Sequence, residues 1–312
     1  MWIVDVVWNE RWLQVGALFF GLPFLAVPFY YVVAKAIYRL STITTCAALR
    51  VCVILSVLHI GLLVMYLVIG FLLLNETTLA DAWMKLLGFI YDLATTFALF
   101  HYLAFIIFKF VMVIKDEYPM ELPHFFVEPI TVCPMLCTII FVVCQFFSNN
   151  YNVFDMVLQS FTLSNNTMIT KFIEAQTLIK LAIMAAGLSL SAIDVLLLYF
   201  HIKKGIDASK YRPVDFRLTF FHICNFGATC LFFSIFELGH FFFDRKGYSE
   251  SKTLILLTFI AAQPIFLVVL NREIRRSMMF VLGIVKNPAT GPANAHRVHF
   301  QNSIDSIERF PQ

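Results

Sequence analysis

The sequence predicts an all-α membrane protein: a seven-transmembrane helix bundle with a short amphipathic helix after the seventh span. Three observations predict it, namely the composition, seven apolar runs, and the distribution of lysine and arginine between them. The chain is 60% hydrophobic and 14% charged over 312 residues, whereas soluble domains carry about 45–50% apolar and about 25% charged residues. That excess is too large for one globular core, and lipid is its natural solvent. Phenylalanine alone occurs 35 times. The net charge of +3 comes without a basic block, so nucleic acid is not an expected partner. Met1 to Glu10 contains no Lys or Arg and so lacks the basic start of a signal peptide. The first apolar run is expected to stay in the membrane as an anchor.

Each run is long enough for a span, which takes roughly 20 apolar residues. The first covers Val15–Val33 and contains Pro23 and Pro28; the second covers Val51–Leu74. The third is Leu86–Phe108, and the fourth is Ile130–Phe147 with Pro134. The fifth is Ile173–Phe200, the sixth Leu218–Phe243, and the seventh Leu254–Leu270 with Pro264. The gaps are short, and no soluble domain fits between the runs. Asn287 onward, with Pro288, Gly291 and Pro292, has little apolar content and reads as a disordered tail.

Lysine and arginine gather in cytoplasmic loops. With the N-terminus outside, sixteen of the 23 fall inside and six outside, and Lys180 lies within a span. This bias predicts an external N-terminus and a cytoplasmic C-terminus. Two glycosylation sequons agree, Asn75-Glu76-Thr77 and Asn165-Asn166-Thr167, both on the predicted outer side. Trp2, Trp8, Trp12 and Trp83 sit near the same interface, where amphipathic rings settle. The seven cysteines lie in or beside apolar runs. They are expected to be small buried hydrophobes without disulfides.

Charge inside a span is costly and therefore points to function. Asp92, Lys180, Glu237 and His240 occupy the outer thirds of the third, fifth and sixth spans. Their depths match, so they are candidates for one ligand pocket open to the outside. A plain Lys180–Glu237 pair that neutralises two charges is the competing reading. Glu237 and His240 also form a Glu-x-x-His pattern, but as a single copy it does not make a metal site, and no cofactor is called for. His59, His101 and His222 stand singly and read as hydrogen-bonded packing residues. Asp194, Asn225 and His222 are candidates for a polar latch between the fifth and sixth spans, with ordinary interhelical hydrogen bonding as the simpler reading. No P-loop, HExxH, GxSxG or Gly-rich nucleotide turn occurs, so no enzyme is expected.

After the seventh span, Arg272, Arg275 and Arg276 fall at i, i+3, i+4 beside apolar Ile274, Met278 and Phe280. A basic amphipathic segment of this kind belongs at an anionic inner leaflet. The proline of Gln263-Pro264-Ile265-Phe266-Leu267, followed by Asn271-Arg272-Glu273-Ile274-Arg275-Arg276, resembles the ending of nematode serpentine chemosensory receptors. These are divergent relatives of the rhodopsin-like G-protein-coupled receptors. The topology likeness covers residues 12–285, and the motif likeness about 263–276. Rhodopsin-like receptors end in Asn-Pro-x-x-Tyr and carry Asp-Arg-Tyr on the third span. Here only Pro264 of the first motif remains, and Phe108-Lys109-Phe110 keeps only a positive charge of the second.

The resemblance implies a receptor domain over residues 1–285 and a disordered cytoplasmic tail over 286–312. It implies a small external ligand, a plasma-membrane or sensory-cilium location, and a heterotrimeric G protein as partner. The surface meeting that partner would include Lys109, Lys203, Lys204, Arg272, Arg275 and Arg276. A seven-span transporter or a ligand-gated channel is the alternative. A transporter should show interrupted helices in paired positions and a channel a polar stripe along one helix, and neither pattern stands out.

Overall fold

A computed structural model describes residues 3–5, 10–44, 47–75, 77–114, 124–147, 152–155, 160–163, 170–203, 220–231 and 245–284. Eight helices follow one another in the order the apolar runs predict. They are α1 (Glu10–Thr44), α2 (Ala47–Leu74), α3 (Asp81–Ile114), α4 (His124–Phe147) and α5 (Thr170–Lys203), then α6, described over Phe220–Leu231, α7 (Arg245–Leu270) and α8 (Arg272–Val281). Among the described residues, five helices are long and apolar enough to cross a membrane, and α4 and α6 contribute shorter apolar stretches at Val132–Cys144 and Phe220–Leu231. The tail predicted for 286–312 lies outside the described residues.

The bundle is apolar on its outside. Phe24, Leu25, Val57, Ile140, Leu178 and Val269 are all more than half exposed. A patch of that size would be untenable in water and is what a lipid-facing surface requires. Lipid tails give no hydrophobic reason for helices to associate, so close packing and interhelical hydrogen bonds hold the bundle together. The tightest seam joins α1 to α2. A Cβ at Gly70 would lie 2.6 Å from the Phe19 carbonyl carbon, and one at Gly16 would lie 2.9 Å from Leu73 Cβ. These two glycines let the backbones touch.

The helices outrun the apolar runs. α1 extends from Glu10 to Thr44 although Pro23 and Pro28 lie inside it. A proline leaves one carbonyl without its helical donor, but neighbouring helices tolerate this in a membrane. α7 likewise starts at Arg245 and passes through Pro264.

Two short antiparallel strand pairs accompany the helices. β1 (Ile3–Asp5) pairs antiparallel with β2 (Thr77–Leu79), with Val4 opposite Thr78. β3 (Asn152–Asp155) pairs with β4 (Ser160–Leu163), with Phe154 opposite Phe161. Both lie at the end of the bundle away from α8. Extended backbone outside the lipid needs partners for its N–H and C=O groups, and pairing supplies them. Phe154 points into the bundle, is 2% exposed, and meets Phe19 edge-on at 6.4 Å.

The cysteines correct one expectation. Among the described residues none forms a disulfide, yet only Cys52 and Cys230 are buried, while Cys133, Cys137, Cys144 and Cys224 are exposed on the bundle surface. In a membrane the apolar medium lies outside the bundle, so an apolar thiol need not be inside it.

Candidate functional site

Two faces of α3 carry the polar groups. On one, Tyr91, Ala94, Thr95, Ala98 and Tyr102 line a cavity of about 40 Å³. The rest of its wall comes from His59 and Leu62 of α2, Thr229 of α6, and Leu256, Phe259, Ile260 and Gln263 of α7. The spacing of the α3 residues is one helical stripe, i, i+3, i+4, i+7, i+11. Each polar wall group is held in place. His59 Nδ1 is 2.8 Å from the Tyr30 hydroxyl of α1. The Thr95 and Thr229 hydroxyls donate to the carbonyls of Tyr91 and Asn225, each at 2.8 Å. Asn225 Nδ2 donates to the Tyr102 hydroxyl at 2.9 Å, and Gln263 reaches that same hydroxyl.

The adjacent face of α3, about 100° round the helix, carries Asp92, Thr96 and Leu99, all buried, and Leu103. Leu103 packs at Gly187 of α5, where an added Cβ would lie 3.3 Å from its Cδ1. Asp92 shares that face three turns earlier, and Lys180 shares the Gly187 face of α5 two turns earlier. Both residues lie on those faces toward the end of the bundle away from α8. Asp92 is 3% exposed. Lys180 is half-buried, with its Nζ 5.8 Å above the Phe141 ring of α4. Glu237 and His240 lie outside the described residues. Neither Asp92 nor Lys180 is among the residues lining the cavity.

The cavity residues were not singled out from the sequence as a site. Tyr91, Thr95 and Tyr102 share one helical face, but three hydroxyls among so many apolar neighbours do not stand out in the sequence. His59 reads as a packing histidine, and its bond to Tyr30 fits that reading without excluding a second role at the wall. Thr229 and Gln263 carry no local signal, because only the assembled bundle brings α6 and α7 to α3.

The latch expected between α5 and α6 is built differently. Asn225 ties α6 to α3 through Tyr102, and His222 Nε2 lies 3.3 Å from Cys52 Sγ of α2. Asp194 has no hydrogen-bond partner among the described residues, although the positive charge of Lys109 acts on it. Through these two residues α6 meets α2 and α3, while its contact with α5 is made by Phe226 at Gly187. His101 is buried with neither ring nitrogen hydrogen-bonded among the described residues. It stacks on Phe97 at 5.2 Å instead.

At the other end, α8 is locked onto the bundle by its own sequence. Asn271 leaves the helical region (φ −117°, ψ 108°), and its side chain accepts from the Glu273 and Ile274 amides at 2.9 and 3.3 Å. This satisfies donors that a helix start leaves open. Arg275 Nη1 donates to the Val268 carbonyl at 3.0 Å and also to that of Val269, at the end of α7. Ile274 is fully buried, Ser277 Oγ donates to the Ala36 carbonyl of α1 at 2.9 Å, and the Arg39 guanidinium lies 3.4 Å over the Phe280 ring. Gly283, at φ 73°, ends the helix in the left-handed conformation that suits glycine. Arg272, Arg275 and Arg276 are exposed, while Lys109 is buried at 4%. Lys204 and Asn165 lie outside the described residues, as does the side chain of Lys203. Asn75 is exposed at the end away from α8, its amide donating to the Phe71 carbonyl at 2.7 Å.

These features define a multi-pass membrane protein of rhodopsin-like seven-helix fold, with an interhelical cavity. Squid rhodopsin is a solved structure of the same fold: it superposes with a TM-score of 0.72 at 11% identity, covering 89% of this chain and 82% of the rhodopsin chain. No family model and no curated protein sequence matches the chain.

Proposed function

We propose that the chain is a G-protein-coupled receptor of chemosensory type, resident in the plasma membrane with its N-terminus outside. The observation that carries this reading is the rhodopsin-like fold over 89% of the chain, joined to the positive-inside bias of its loops. A small external ligand enters from the end away from α8 and engages Asp92 of α3 and Lys180 of α5, with Glu237 and His240 completing the site. Binding favours the state of the bundle to which the ligand binds more tightly. The G protein docks at the α8 end, where Arg272, Arg275 and Arg276 supply the basic surface, with Lys203 and Lys204 beside them. Lys109 belongs to the same inner surface, which meets the G protein once the inner ends of the fifth and sixth helices separate.

A proximity assay for G-protein recruitment, run across an odorant panel in cells expressing the chain, tests this. At least one compound is expected to drive recruitment, and Lys180→Ala is expected to weaken that response about tenfold or more at normal surface expression. Ligand-evoked currents or uptake that persist after the G protein is removed would instead assign the chain to channels or transporters.

A further inference from the structure

We infer that the corner where α1 meets α8 is a site for the phosphate of an anionic phospholipid. Three cations surround one contact there. The Ser277 hydroxyl donates to the Ala36 carbonyl, and Lys35 and Arg276, the residues just before this pair on each helix, are both exposed. Arg39, one turn beyond Ala36, holds its guanidinium 3.4 Å over the ring of Phe280, one turn beyond Ser277. The ring face attracts the cation but has no oxygen to accept its N–H groups. Arg39 Nη1 is buried with no hydrogen-bond partner among the described residues, while the side chain as a whole is half-exposed. A partly buried guanidinium is costly unless an anion compensates it. Glu273 is the one acidic residue of α8, so three cations against one carboxylate leave the corner positive.

Depth identifies the anion. The α1 span runs from Leu13 to Thr42. Counted from its middle at 1.5 Å per residue, Lys35 stands about 11 Å and Arg39 about 17 Å toward the α8 end. The hydrocarbon core ends about 15 Å from the midplane. Arg39 is therefore at the level of lipid phosphates, and the flexible stem of Lys35 carries its ammonium to the same level. Phosphate is the anion a bilayer presents there, and a guanidinium binds it with charge-assisted hydrogen bonds. Deeper in the lipid, Phe24 and Tyr31 are exposed on the same stripe of α1 as Lys35, an apolar track for the acyl chains. A zwitterionic headgroup would bring its own ammonium to a corner that is already positive, so a lipid of net negative charge is favoured. The cytoplasmic leaflet supplies such lipids. The site does not depend on coupling to a G protein.

The test is native mass spectrometry of the full chain with phosphatidylserine, phosphatidylglycerol or phosphatidylcholine added at equal concentration. The two anionic lipids are expected to give adducts about fivefold more abundant than phosphatidylcholine. Arg39→Gln and Lys35→Gln should each reduce the anionic adducts about fivefold. Lys85→Gln, which removes one positive charge at the far end of the bundle, should change them less than about twofold. If Arg39→Gln does not fold, Lys35→Gln against Lys85→Gln decides, since Lys35 is exposed. Equal losses in all the variants would mean diffuse attraction and would overturn the site. So would phosphatidylcholine binding as strongly as the anionic lipids. Inorganic phosphate displacing the lipids at equal concentration would assign the corner to a free anion instead.

Discussion

Asn225 and Tyr102 illustrate how a single hydrogen bond positions a helix where the hydrophobic effect cannot. Both are buried, and their 2.9 Å contact joins α6 to α3. In lipid the alternative to this bond is an unsatisfied amide, which costs about 1–3 kcal/mol when only one partner is removed. Tyr102→Phe is therefore expected to lower the thermal midpoint by a few degrees. Replacing both, as Tyr102→Phe with Asn225→Leu, should recover part of the loss, because the Asn225 donor is no longer orphaned and only Gln263 still lacks the hydroxyl. Equal losses in the single and double variants would show that the bond carries no such weight. The polarity of Asn225 and His222 was legible in the sequence. Their partners were not, because an interhelical bond depends on the rotation of each helix about its axis, and periodicity within one span cannot supply that.

At the scale of elements, α8 contrasts with the two strand pairs. A basic amphipathic helix after Leu270 was legible from Arg272, Arg275, Arg276 and their apolar neighbours. Its docking on α1 was not, since Ser277 and Ala36 lie far apart in the chain and their bond is made only by folding. The strand pairs escaped notice for a different reason. Ile3–Asp5 and Ser160–Leu163 are too short to show an alternating pattern. Asn271 is the hinge of the α7–α8 corner, because it ends one helix and caps the next. Asn271→Ala removes the acceptor for two amides, a loss of about 1 kcal/mol. Hydrogen exchange at Glu273 and Ile274 should then rise about fivefold. Asn271→Ser keeps a capping oxygen and should hold exchange near its original rate. Unchanged exchange in Asn271→Ala would transfer the corner's stability to Ile274 and to the Arg275 contacts with α7.

For the whole molecule, the fold was legible because membrane spans announce themselves by length and composition, while the direction in which the bundle sits rests on charge counting. That direction decides whether the arginines of α8 face a G protein at all, so it is the property most worth measuring. Asn75 is well placed to report it. The α2 helix has 28 residues, about 42 Å at 1.5 Å per residue, against a hydrocarbon core of about 30 Å. Its last turn therefore stands clear of the lipid core, and Asn75 follows directly, exposed. Among the described residues its amide is tied to the Phe71 carbonyl, a single bond weak enough to yield to a modifying enzyme. With the N-terminus outside, the chain expressed in animal cells should carry a glycosidase-sensitive glycan that is reduced by Asn75→Gln and abolished when Asn165→Gln is added. An epitope at the C-terminus should stain only after the cells are permeabilised. An unglycosylated chain whose C-terminal epitope stains on intact cells would invert the bundle. The end away from α8 would then face the cytoplasm, the sixteen loop charges would face outward, and the proposed coupling through α8 would have no partner to meet.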